Sequence, residues 1–423
     1  MSQPTPPTSA PDPTPTPTPT PTPDARGQQA LREIFASNWV ATVLAIVLAL
    51  LLSGVLIAAA DARVQSTVSY VFARPSDLLG AAWTAVSEAY SALFQGAIFD
   101  FQATTFERAI RPITETMTVS VPLIFAGLGL GVGFRAGLFN IGAQGQIIVG
   151  AIFAGYVGFA MDLPPVVHVV VAVLAAVIGG GLWAGIAGVL KARTGAHEVI
   201  VTIMLNNIAV YLIAYLLTTS AFQRGDSNNP ISPPLKSTAL FPLLLGPGFR
   251  LHLGFVLAIA AAFGVWWLMN RSTIGFQFRA VGSNPSAARV AGISVNANYV
   301  WVMVVAGALA GLGGAAQVLG TEKVLTAGVA ASFGFDAITV ALLGRSKPLG
   351  TVLAGLLFGA LRAGGFAMQA RTGTPIDIVL VVQSLIVLFI AAPPLIRAVF
   401  RLPAHGERVV PPALTQTTQE VHA

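Results

Sequence analysis

Asn140, Gln144 and Gln146 stand inside the apolar run GLFNIGAQGQ, and Asn206 and Asn207 stand near the middle of TIMLNNIAVY. A side-chain amide carries donors and acceptors without net charge, so a group of amides suits a neutral polar solute such as a nucleoside or a sugar. Their position is informative because polar groups in hydrocarbon are costly: an Asp at the centre of a membrane helix costs about 2.5–3.5 kcal/mol on the insertion scale. Asn140 and Gln144, four residues apart, share one face of an expected helix, while Gln146 points elsewhere. Any one of these amides could instead bond a neighbouring helix or cap a broken one, but the group favours a polar pathway. Gln317, Asp336, Thr339, Arg362, Gln369, Asp377 and Gln383 complete the polar residues within or beside apolar runs. Asp336 opens a short segment, where it reads equally well as a helix N-cap or as a solute contact. The expected pathway residues are Asn140, Gln144, Asn206, Asn207 and Asp336.

Other chemistries lack their residues. No phosphate-cradling GxxxxGK[ST] is present, nor any Gly-Lys pair, so a P-loop is excluded. Gly127, Gly129, Gly131 and Gly133 alternate inside an apolar run with no strand before them, and read as helix packing, not as a dinucleotide fingerprint. Gly179, Gly180, Gly181, Gly185 and Gly188, with Gly307, Gly311 and Gly314, predict closely approaching helices in the same way. The absence of cysteine excludes disulfides, thiolate metal sites and cysteine nucleophiles, and five scattered histidines form no metal motif. No catalytic cluster, metal or cofactor is expected. His197-Glu198 opens a helix, where Glu198 complements the N-terminal dipole.

The elements that position these residues are membrane helices. Of 423 residues, 55% are hydrophobic and 9% charged, against about 25% charged in a soluble chain. The mean hydropathy is +0.76. The fold class is therefore an all-α polytopic membrane protein with about ten transmembrane helices. Residues 1–38 form a Pro/Thr-rich tail, read as extended, solvated and polyproline-like. Residues 39–398 are the membrane domain, and 399–423 a second tail. Spans are expected at 39–60, 115–134, 137–160, 165–190, 199–219, 252–269, 299–319, 349–369 and 376–396, with a short or re-entrant segment near 333–343. Short connections carry basic residues mainly on one side, which places both termini in the cytoplasm and the long segments 61–113 and 220–251 outside. Within 76–112, amphipathic helices along the outer interface are expected, an additional short span being the alternative.

Residues 270–298 form the longest polar connection on the inside. Asn284 reads as a helix cap, Pro285 as the first helical residue, Ser286–Val290 as the helix body and Gly292 as its end. Such a short helix of small residues can be gripped by a groove on a partner. GFQFRAVGSNPSAARVAGISV resembles the coupling-helix region of ABC importer permeases of the branched-chain amino acid/simple-sugar superfamily. GLFNIGAQGQIIVGAIFAG and EVIVTIMLNNIAVYL are similar to its nucleoside-type branch, and ALLGRSKPLGTVLAGLLFGAL to a fourth family block. His197 stands where the family usually has Asn, and Asn207 where it commonly has an aromatic residue. The resemblance covers about 115–396. It implies a multi-pass protein of a bacterial inner membrane with three kinds of partner: a second transmembrane permease subunit, a cytoplasmic ABC ATPase dimer and an external solute-binding protein. No nucleic acid is expected. It implies import of nucleosides or a related small polar solute by alternating access, and ATPase docking shaped by Gly282, Asn284, Pro285, Ala287, Ala288 and Gly292. Simple sugars or branched-chain amino acids are alternatives. An ion-coupled secondary transporter would call for an intramembrane carboxylate, for which Asp336 and Asp377 are the candidates.

Overall fold

Apolar runs become helices because a membrane helix satisfies all its own backbone groups. The computed structural model describes residues 38–225, 228–375 and 377–392, together with 395 and 398–400; the Pro/Thr-rich tail and the residues after 400 lie outside the described residues. In chain order the helices are α1 Asn38–Ala60, α2 Ala62–Val68, α3 Pro75–Ala97, α4 Phe106–Arg135, α5 Ala143–Ala160, α6 Pro165–Thr194, α7 Glu198–Leu216, α8 Gly254–Arg271, α9 Thr273–Ser283, α10 Pro285–Val290, α11 Val295–Ala315, α12 Phe333–Leu343, α13 Pro348–Thr372 and α14 Asp377–Ala391. Among the described residues only two isolated β-bridges occur, Ile231 with Thr326 and Leu243 with His252. Among the described residues eight helices are long and apolar enough to cross a membrane, with α12 and α14 as shorter apolar helices.

Leu48–Ala391 forms one compact unit; the rest of the chain, Met1–Val47 with Ala392–Ala423, is assigned to another, of which the described part is the start of α1 and residues 392, 395 and 398–400. Within the larger unit α4, α5 and α11 are central: 83%, 78% and 78% of their most apolar windows are buried, against 33% or less for α6, α7 and α8. Glycines set the spacing. A Cβ at Gly180 would overlap the carbonyl oxygen of Gly307, and one at Gly307 would overlap that of Gly180. Helices α6 and α11 therefore touch backbone to backbone, as the small-residue spacing predicts.

Two elements differ from expectation. The expected 137–160 span begins only at Ala143. Gly137 takes a left-handed φ of 73°; Leu138 N–H donates to Gly133 O of α4, while the N–H groups of Phe139 and Ile141 donate to Glu198 and Thr202 of α7. Asn140 is thus in a loop, and the helix face expected to join it to Gln144 does not exist. The expected 115–134 span starts earlier, at Phe106, where the Thr105 hydroxyl accepts from Arg108 N–H. In the 76–112 segment, where amphipathic helices are expected, the structure has α3, whose stripe Ala85, Ala89 and Ala92 is buried. Its C-terminal turn packs against α13, with Gly364 facing the Leu93 carbonyl.

Candidate functional site

Helix α7 presents Glu198, Thr202 and Asn206 at a spacing of four, one polar stripe on an otherwise apolar helix. All three face the loop before α5. Glu198 Oε1 accepts from Phe139 N–H at 3.4 Å, Thr202 Oγ1 from Ile141 N–H at 3.3 Å, and Asn206 Oδ1 from Gly145 N–H at 2.8 Å. Asn206 Nδ2 returns a bond to the Ile141 carbonyl at 2.9 Å. Glu198 is also paired with Lys191 Nζ at 2.6 Å, so its place in the first turn serves a tertiary clamp as well as the helix dipole. Asn140 and Gln146 exchange amide hydrogen bonds at 3.2 and 3.3 Å, and Asn140 Oδ1 accepts from Gly142 N–H at 2.8 Å. Asn207, about 100° further round the helix, is exposed, and its amide donates to Ile203 O of its own helix.

Gln144 joins α5 to α12. Its Nε2 donates to Ala331 O at 2.6 Å, and its Oε1 accepts from Gly334 N–H at 2.9 Å. Gly334 lies in the first turn of α12, where helix N–H groups have no intrahelical partner. Ala331 has φ 40°, uncommon for a residue with a Cβ, and Gln144 holds it. Asp336 is not the N-cap of α12: Ser332 takes that position, and its hydroxyl donates to Asp336 Oδ2 at 2.9 Å. Arg362 Nη1, from α13, reaches Asp336 Oδ2 at 3.1 Å and Ser332 Oγ at 3.2 Å. The Arg362 guanidinium lies over the Phe333 ring, 4.2 Å from its centroid. An arginine within a span is thus neutralised by a carboxylate 26 residues away, which sequence spacing did not reveal.

A cavity of about 810 Å³ lies elsewhere than the amide group. None of Asn140, Gln144, Asn206, Asn207 or Asp336 lines it; Asp336 reaches it through Arg362. Its walls come from α3, α4 and α13, the segments before α8 and α12, and the end of α11. There the helix widens into a π-helical stretch, Ala316–Glu322, that brings Gln317, Thr321 and Glu322 to the cavity. Such widened turns recur at functional sites. Five arginines (108, 111, 250, 362 and 371) face three carboxylates (Asp100, Glu115 and Glu322). Arg250 Nη1 meets Glu115 at 3.2 Å, and Arg371 bridges Asp100 at 2.7 Å and Gln95 at 2.6 Å. Burial would raise the Asp100 carboxyl, but the Gln102 N–H and Arg371 hold it below its ordinary value. The charged groups of the wall are therefore mostly self-paired, and they stand beside apolar residues that include Val119, Phe333 and Phe366.

The α9–α10 elbow sits at the other end of α4. A Cβ at Gly282 would meet the backbone of Arg135 and Ala136, the last turn of α4, while Arg108, Arg111 and Glu115 of its first turns line the cavity. Asn284 Oδ1 accepts from Ala287 N–H at 3.0 Å, Pro285 is the first helical residue, and Gly292 has φ 80°. Ala287 is exposed. Ala288 is not: it packs inward on Val281 and Val295. Val290, outside the expected set, is 91% exposed. It was the one branched apolar residue on a helix of small ones.

Residues 113–391 match the family model described as branched-chain amino acid transport system / permease component. A guanosine ABC transporter permease protein of Bacillus subtilis is 40% identical over 74% of this chain and 88% of its own length. A glucose ABC transporter permease protein of Haloferax volcanii is 38% identical over 66% of this chain and 75% of its own. A nucleoside ABC transporter permease protein of Lactococcus lactis subsp. cremoris is 36% identical over 66% and 79%. No solved structure matches. With a family match over most of the chain and a buried core of α4, α5 and α11 behind it, the chain belongs to the branched-chain amino acid transport system permease family and is a multi-pass membrane permease subunit of an ABC transporter.

Proposed function

We propose that this permease imports nucleosides, taking them from an external solute-binding protein and driven by a cytoplasmic ABC ATPase dimer, beside a second, different permease subunit in a bacterial inner membrane. The observation that carries this reading is the placement of two features on one helix. At its start α4 lines a cavity of mixed charged and apolar residues. At its end it abuts the α9–α10 elbow. Its 30 residues span about 45 Å at 1.5 Å per residue, so a push on the elbow reaches the cavity through one continuous element. The guanosine and nucleoside permeases among the similar proteins support the solute class.

In this reading both termini and α10 are cytoplasmic, and the cavity opens outside. Gly282 and Gly292 set the elbow's turns, Asn284 and Pro285 start α10, Ala288 anchors it, and Ala287 and Val290 face the ATPase. Asn140, Gln144, Asn206 and Asp336 shape the pathway from behind, by holding the loop before α5 and the start of α12, and Asn207 faces the partner permease. Titration calorimetry of the cognate binding protein tests the solute. Nucleosides should release heat on binding; a protein that takes glucose and ignores nucleosides moves the reading to sugars.

A further inference from the structure

We infer that Phe366 and the Arg362–Phe333 pair form a subsite in the cavity that takes the planar base of the solute, a heteroaromatic ring with oxygen or nitrogen acceptors on its edge. This rests on the nucleoside reading above and adds the contact that would recognise it. Phe333 is 5% exposed and carries the Arg362 guanidinium on its face, whereas Phe366 is 54% exposed and lines the same cavity. On a membrane helix an exposed phenylalanine is ordinary when it meets lipid; this one borders a space with five arginines.

The guanidinium has five N–H donors and no acceptor. Its Nη1 is engaged by Ser332 and Asp336, and Arg362 lines the cavity, so its remaining N–H groups are the ones left to donate to a base edge. Asp336 and Ser332 are positioning residues: they fix the plane of the fork. A π-face plus an in-plane donor fork is complementary to a nucleobase and gives a sugar or an aliphatic amino acid no stacking partner. At about 810 Å³ the cavity falls within the range of small-molecule sites, roughly 300–1,000 Å³.

The experiment uses the complete importer in proteoliposomes, with labelled guanosine delivered by saturating binding protein, and compares Phe366→Leu with Phe366→Trp. Leucine keeps apolar bulk and removes the π-face; the maximal uptake rate should fall roughly tenfold or more. Tryptophan should keep it within about twofold. Arg362→Lys, which keeps the charge and loses the planar fork, should fall like the leucine variant. A leucine variant at the wild-type rate, or leucine and tryptophan variants equally impaired, overturns the subsite. Calorimetry on the binding protein separates the two readings. If it binds nucleosides and the leucine variant transports normally, only the subsite is wrong. If it binds no nucleoside, the solute class fails and the subsite with it.

Discussion

Gln144 Oε1 accepts the N–H of Gly334 at 2.9 Å, across 190 residues of sequence. With the bond from Nε2 to Ala331 O, one amide supplies both polar partners at the buried start of α12. Gln144→Leu leaves a donor and an acceptor unmet and should lower stability by about 2–4 kcal/mol. Gln144→Glu keeps the acceptor for Gly334 and should fall between the two. Thermal unfolding of the detergent-solubilised protein, followed by size-exclusion recovery, reads the order.

The Asp336–Arg362 pair, with side chains 20% and 19% exposed, is costly to break from one side. Asp336→Ala or Arg362→Ala alone should destabilise by about 3–5 kcal/mol, and the double variant by less than either single one, because no uncompensated charge remains. The same thermal assay measures the cycle.

Asp100 gives a pH dependence with a defined sign. Its carboxyl is lower in the folded protein than in the unfolded chain. Its contribution is therefore fully present above the unfolded value, about 3.9, and is lost as pH falls through the still lower folded value. Between roughly pH 5 and pH 2, Asp100→Asn should show a shallower loss of thermal stability than the wild type. An unchanged slope would remove Asp100 from the account of acid sensitivity.

On α10 the two apolar positions should separate. Val290→Asp changes an exposed side chain and should cut uptake at least tenfold, by about 1.4 kcal/mol or more of ATPase docking, with normal protein levels in the membrane. Ala288→Glu puts a carboxylate into the small core with Val281 and Val295 and should lower the amount of folded protein. Immunoblots and ATPase co-purification distinguish the two.

Most helices were legible in the sequence because hydrocarbon leaves an apolar run few alternatives, and the short eighth segment appears as the eleven-residue α12. The loop at Asn140 was not. Its local sequence is as apolar as a helix, and what unwinds it is the stripe Glu198, Thr202 and Asn206, about 60 residues away. The amides stood out for a sound reason, their cost in lipid, but the same cost is met by bonding backbone, as Gln144 and Asn206 do. The cavity could not be read from spacing because Asp100, Glu115, Arg250 and Arg371 come from distant segments. Arg362 was conspicuous as a charge within a span, and only folding supplied Asp336 as its partner.

The seam where α6 meets α11 has a consequence for the gene. Gly180, Gly307 and Gly311 face backbone atoms so closely that any Cβ collides, and a backbone, unlike a side chain, cannot choose another rotamer. A saturation mutational scan should therefore find a short row of sites there at which one amino acid survives, flanked by lipid-facing neighbours such as Leu182 that accept many.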